Sequence, residues 1–131
     1  MAGLPGSRLT RGERLSSAGQ FRRVLQKGLR VDGRLFSLVA APNDQGHDRL
    51  GLTASRKVGG AVARNRAKRQ LRECFRLNKR PQAPALDLVL MAKKEIVGCV
   101  QRELEREYQD RLRRLQERLA RSGRTGPPRV D

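Results

Sequence analysis

Three observations on this 131-residue chain predict a single α+β domain with the element order helix, strand, strand, helix, strand, helix. Apolar residues recur at spacings of three and four in some stretches and at strand spacing in others. Gly-, Pro- and Asn-rich clusters separate these stretches, and the length suits one domain with one modest core. Hydrophobic residues make up 37% of the chain and fall into these runs, so disorder does not describe it as a whole.

Residues 1–15 lack periodicity and are expected to form a flexible basic arm. Ser16 or Ser17 is suited to cap a short helix with Phe21, Val24 and Leu25 as its apolar positions, and Gly28 stands at the C′ position that ends it. Residues 35–41 read as a strand, stopped by the turn signal Pro42-Asn43-Asp44-Gln45-Gly46. Residues 49–55 read as a second, with Leu50, Leu52 and Ala54 on one face and Gly51, Thr53 and Ser55 on the other. An antiparallel hairpin is the simplest way to join them. Gly59-Gly60 break the chain before a helix over 61–78, and Pro81 and Pro84 delimit a loop. Residues 87–92 are apolar on both faces, as in a strand covered on both sides. Val97, Val100, Leu104, Tyr108, Leu112, Leu115 and Leu119 then mark a long amphipathic helix with mixed charges outside. The expected organisation is an arm over 1–15, a domain over 16–121 and a disordered tail over 122–131.

Lys and Arg number 30 against 13 Asp and Glu, a formal charge of +17 that opposes compaction and attracts polyanions. Nucleic acid is the leading partner, and an anionic membrane surface is the second. Residues 56–80 hold 10 basic side chains and 1 acidic, so more than half the net charge lies in one segment. On a wheel of 100° per residue, Ala67, Leu71, Cys74 and Phe75 share a narrow arc that should pack on the sheet. Lys68, Arg72 and Arg76 form a row at i, i+4, i+8, flanked by Asn65, Arg66 and Arg69. Like charges at this spacing cost an isolated helix about 0.2–0.5 kcal/mol per pair. A face selected for solubility alone mixes its signs, as residues 101–118 do, so the row calls for a bound polyanion. Guanidinium groups bind phosphate bidentately, and Asn65 adds a donor and an acceptor suited to a base edge or a 2′-hydroxyl.

Several function classes fall away. The longest apolar stretch, 88–92, is far short of the roughly 20 residues a membrane-spanning helix needs. The six acids over residues 95–121 argue against a membrane-surface role for the last helix, because anionic lipid calls for a polar face of one sign. The N-terminus has no apolar segment of the kind found in secretory signals, and two cysteines are too few for a disulfide framework, so a cytoplasmic location is expected. The single histidine, His47, lies in a turn and is expected to face solvent. The acids outside the last helix lack the clustering that a two-metal nuclease requires. Cys74 falls on the apolar arc and is expected to be a buried structural thiol, and nothing near Cys99 marks a nucleophile. No catalytic side chain and no metal ligand is therefore expected in the protein.

The segment Arg49-Leu-Gly-Leu-Thr-Ala-Ser-Arg-Lys-Val-Gly-Gly-Ala-Val-Ala-Arg-Asn-Arg-Ala-Lys-Arg69 closely resembles the signature of the bacterial ribonuclease P protein component. Its specific core is Arg64-Asn65-Arg66-x-Lys68-Arg69, preceded by Gly59-x-Ala61-Val62. The resemblance extends to the Phe21 helix, Arg34-x-Phe36 and Ala92-Lys93-Lys94, and covers about residues 10–115. It implies an α/β sandwich like a ribosomal-protein RNA-binding domain, with a left-handed βαβ crossover where a right-handed one is the default.

The resemblance also implies that the protein joins a catalytic RNA to form an endoribonuclease that removes the 5′ leader of precursor tRNA. On this basis Arg64, Asn65, Arg66, Lys68, Arg69 and Arg72 contact the RNA subunit, with Arg76 extending their row. A separate cleft between the first helix and the sheet would hold the leader, using Phe21, Leu25, Ser37, Val39, Thr53, Arg56 and Lys57, with Lys93 nearby. Relatives often carry aromatic residues where Leu25 and Val39 stand. Base stacking is thus expected to be weaker here, by ~1–3 kcal/mol per lost platform. Phe36 and Phe75 are expected to face each other in the core, while Phe21 suits either core or platform. Catalysis and Mg²⁺ would belong to the RNA, with no cofactor bound by the protein alone, no membrane contact and no obligate protein partner. The competing reading is a ribosomal or other structural RNA-binding protein of similar fold.

Overall fold

Helix α1 (Ala18–Lys27) starts at a reciprocal cap that settles the choice between the two serines. Ser17 Oγ accepts from the Gln20 amide at 3.1 Å, and Gln20 Oε1 accepts from the Ser17 amide at 3.2 Å. The computed structural model describes residues 11–80 and 84–122. At the far end of α1, the Gly28 amide donates to the Val24 carbonyl at 2.7 Å. Gly28 has φ −80°, not the left-handed conformation expected of a C′ glycine. It is needed for space: a Cβ there would lie 2.6 Å from the Val24 carbonyl oxygen and 2.7 Å from that of Ala40.

Four strands follow in an order that the local turn signals misrepresent. They are β1 (Leu29–Asp32), β2 (Phe36–Pro42), β3 (Arg49–Ala54) and β4 (Leu86–Ala92), arranged β1-β2-β4-β3 across the sheet. The expected hairpin between 35–41 and 49–55 does not form. β2 pairs antiparallel with β1 and β4, while β3 pairs in parallel with β4, so β4 separates β2 from β3. The Pro42–Gly46 turn is real, but it leads to a strand two places away. β1 was not expected, because four residues with only Val31 buried carry too little pattern. Helix α2 (Ala61–Leu77) is the crossover joining the parallel pair β3 and β4.

The pairing register gives the sheet two faces. Leu38, Leu50, Leu88 and Leu90 point to one, where Leu71, Cys74 and Phe75 of α2 join them in the main core. Helix α3 (Gln101–Arg121) adds Leu104, Tyr108, Leu112, Leu115 and Leu119 to the same core. Phe36 and Phe75 are both buried as expected, but the ring partner of Phe36 is Tyr108, with centroids 6.2 Å apart. Val39 and Val89 face the other way and pack with Val24 of α1 and with Leu15 in a second, smaller cluster.

Three further expectations need correction. Val97 and Val100 precede α3 and are 57% and 64% exposed, because Gly98 breaks the period between them. Residues 11–15 of the expected arm are part of the folded body. Arg14 bridges to Leu50, the Leu15 amide donates to the Leu50 carbonyl at 3.0 Å, and Leu15 is buried. Asp87 is a fully buried acid within the apolar strand, held by Arg49 Nε and Nη2 at 2.8 Å each and by Asn43 Nδ2 at 2.7 Å. The remainder of the arm, residues 1–10, the tail over 123–131 and Pro81 lie outside the described residues. Ser122, placed in that tail, ends α3 by donating to the Leu119 carbonyl.

Candidate nucleic-acid interface

α2 begins after Gly59, whose φ of +142° favours glycine. Its apolar arc buries Ala67, Leu71, Cys74 and Phe75, as the wheel requires, and this fixes where every cation on the helix points. The basic row is not uniform. Arg76 is held by Glu73 through two hydrogen bonds of 3.0 and 2.8 Å, and this pairing holds the Glu73 carboxyl below its usual pKa. Arg80 is held twice by Asp48 at 3.0 Å, while Lys79 pairs with Glu13 and lies over the Phe75 ring. These three cations already have carboxylate partners within the protein.

Arg64, Asn65, Arg66, Lys68, Arg69 and Arg72 remain, and among the described residues none of these five cations has an ion-pair partner. Arg64 Nε is also buried without a hydrogen-bond partner there. Burial, followed by the like charges of Arg14 and Arg69, lowers the pKa of Arg72. Arg14 was assigned to the arm and missed. Only its bridge to β3, which brings it beside α2, reveals it as part of the cationic surface. Asn65, Arg66 and Arg69 border a groove between α2 and the segment 98–101. A polyanion would relieve the repulsion that folding has concentrated here.

The second proposed surface lies on the α1 side of the sheet. Cross-strand register places Ser37, Met91 and Thr53 in one row and Val39, Val89 and Gly51 in the next. Phe21, Ser37, Val39 and Thr53 thus share the face that the resemblance assigned to them. Ser37 and Val39 are each only 2% exposed, however, so they support the surface without presenting one. Ser37 donates to Asp32 Oδ1 at 2.6 Å and accepts from Arg30 at 3.4 Å. The Ser37 bond, followed by Arg30, lowers the Asp32 pKa, so its contribution to stability is full above the unfolded carboxylate range and fades as pH falls through the folded value. Leu25 is 46% exposed on α1. Arg56 and Lys57 are exposed after β3. Lys93 reaches back to the Gly33 carbonyl at 2.6 Å, and with Lys57 and Lys94 it borders an open hollow. Met91, half-buried in the outer row, was missed, because only the β2–β4 register shows which face it joins.

Phe21 belongs to both descriptions. It is half-buried against Leu15, Val24, Val39 and Val89, and its ring lies over Gly51. A Cβ on residue 51 would sit 2.5 Å from Phe21 Cζ and 3.2 Å from Leu15 Cδ1. Gly51→Ala should therefore destabilise the protein by about 1–3 kcal/mol in chemical denaturation. Adding Phe21→Leu should recover much of that loss, and strict additivity of the two changes would contradict the contact.

Burial pushes the Cys74 thiol up to about 12. Cys74 should resist a thiol reagent at pH 8 until the protein unfolds, with partly exposed Cys99 labelling first, a sequence that peptide mapping by mass spectrometry would resolve. His47 is exposed, with a ring nitrogen 2.8 Å from the Gly12 carbonyl oxygen. Among the described residues, no three His, Cys, Asp or Glu side chains are placed to hold a metal ion, and no helix is long and apolar enough to cross a membrane.

Residues 9–116 match the family described as Ribonuclease P. A ribonuclease P protein component from Pseudoalteromonas translucida is 40% identical over 116 residues, covering 88% of this chain and 82% of the relative. One from Desulfatibacillum aliphaticivorans is 42% identical over 94 residues, covering 72% and 77%. The solved RNase P protein from Thermotoga maritima superposes with a TM-score of 0.70 at 27% identity, covering 78% of this chain and 96% of that one. That from Staphylococcus aureus gives 0.68 at 28% identity, covering 77% and 93%.

Proposed function

Because the chain belongs to the ribonuclease P protein component family, whose members act in tRNA 5′ processing, we propose a division of labour between its two surfaces. The cationic face of α2, extended by Arg14, binds the RNA subunit. The α1 side of the sheet, with Phe21, Leu25, Thr53, Arg56 and Lys57 at its accessible edge and Lys93 bracing the end of β4, receives the single-stranded leader of precursor tRNA. The observation that carries this reading is the concentration on one helix of Arg64, Arg66, Lys68, Arg69 and Arg72, none ion-paired among the described residues, with Arg14 beside them.

The protein contributes screening and positioning. Cleavage and Mg²⁺ coordination are assigned to the RNA. Neutralising phosphates at the α2 face would lower the Mg²⁺ needed for RNA and substrate to approach one another. Work in the cytoplasm, with both thiols reduced, fits this role.

Reconstitution with a bacterial ribonuclease P RNA at low Mg²⁺ tests the proposal. Added protein should raise the rate of precursor-tRNA cleavage, while protein without RNA should cleave nothing. Robust cleavage by the protein alone, or no stimulation of the RNA, would overturn it.

A further inference from the structure

Three of the exposed large apolar side chains, Val62 at 84%, Val97 at 57% and Val100 at 64%, surround one groove between α2 and the segment leading into α3. Two open hollows of about 640 and 810 Å³ meet there at Val62, Arg66, Gln70 and Gly98. The floor is held in place. Gln70 Nε2 donates to the Cys99 carbonyl at 3.3 Å, Gln101 Nε2 donates to the Gln70 carbonyl at 3.1 Å, and Ile96 anchors the segment in the core. Arg66, Arg69 and Asn65 stand along the rim. The nearby acid, Glu103, is already paired with Arg34 at 2.6 Å.

We propose that this groove seats an unstacked nucleoside of the RNA subunit, with its base against Val62, Val97 and Val100 and its flanking phosphates on Arg66 and Arg69. The proposal rests on the assignment of the α2 face to that RNA and adds a specific occupant. Contacts to a continuous duplex backbone call for cations and polar donors, and they leave three exposed valines without a role. An extruded nucleotide has an apolar base face, polar edges and anionic flanks, and the groove matches each with valine walls, Asn65 and two guanidiniums. A second copy docked by two-fold symmetry would bring Arg66 and Arg69 of each chain close to those of its partner, which disfavours that occupant. Val100 supports a binding role in another way. It is the N-cap of α3 and makes no side-chain cap, at a position where serine or aspartate stabilises a helix and valine is a poor choice.

Val62→Ser with Val97→Ser removes the apolar walls without removing charge. The pair should lower affinity for the ribonuclease P RNA by roughly tenfold or more, while the salt dependence of binding stays as in the wild type. In chemical probing of the complex, at least one unpaired base protected by the wild type should become reactive with the variant. Val100→Ser should raise the Tm through the new cap and yet weaken RNA binding, a combination that a purely structural role for Val100 does not produce. Unchanged affinity in the valine variants, alongside loss of binding and salt slope in Arg66→Ala with Arg69→Ala, would overturn the nucleoside seat and leave the α2 assignment standing. Unchanged binding in the arginine variant too would overturn both. Sedimentation showing a wild-type dimer lost only in the valine variants, with RNA binding intact, would assign the groove to a second copy instead.

Discussion

Arg66→Ala combined with Arg69→Ala should lower affinity for the ribonuclease P RNA by on the order of 10²- to 10⁴-fold, the equivalent of about 3–6 kcal/mol for two lost charge-assisted hydrogen bonds. Both side chains are exposed and make no ion pair with a described residue, so their removal leaves the fold intact. The Tm should stay constant or rise slightly, since each i, i+3 or i, i+4 repulsion relieved is worth about 0.2–0.5 kcal/mol. The distinguishing readout is the salt dependence. The slope of log K against log salt should flatten by about 1.4–1.8, which is 0.7–0.9 for each of two phosphate contacts. Binding measured across a salt series decides the matter: a weaker complex with an unchanged slope would mean that the arginines act through shape and touch no phosphate.

Replacing Asp87 has the largest expected effect on stability. Its carboxylate is fully buried, and it holds Arg49 through Nε and Nη2, Asn43 and, at 3.6 Å, Arg23 of α1. Asp87→Ala leaves Arg49, whose side chain is 14% exposed, as a nearly buried and unpaired cation. Breaking such a pair from one side costs about 3–5 kcal/mol. Urea denaturation should report a loss of that size, a large fraction of the stability of a domain this small. Replacing both partners, Asp87→Leu with Arg49→Met, should recover most of it, because no charge is then stranded. A double variant as unstable as the single one would show that the cost lies in packing. Arg23→Ala should cost far less, its side chain being 44% exposed in the longer contact.

The cationic helix was legible from spacing alone. Ala67, Leu71, Cys74 and Phe75 share one arc, and burying that arc forces Asn65, Arg66 and Arg69 outward whatever the helix packs against. The pairing state of each cation was not legible in the same way. Arg76 with Glu73 lies within one helix and was visible in principle as an i, i+3 pair, whereas Arg80 with Asp48 spans 32 positions. The groove beside Arg66 had no sequence signal, since Val97 and Val100 fit the period of the last helix and were counted into its core. Their exposure follows from Gly98, at φ +83°, which re-aims the chain just before the helix starts.

Short-range periodicity thus specified the helices, three of the four strands and the placement of charge, because side-chain direction repeats within a few residues of the same element. Tertiary structure alone decided which strands are neighbours, since the pairing of β3 with β4 depends on a crossover helix whose length and packing no strand encodes. It also decided that Arg14 joins the α2 surface, that Ser37 and Val39 lie beneath the second surface, and that Asp87 is a buried partner for Arg49. Each of these is a contact between residues far apart in the chain, where charge and hydropathy name the candidates and only the packed geometry selects among them.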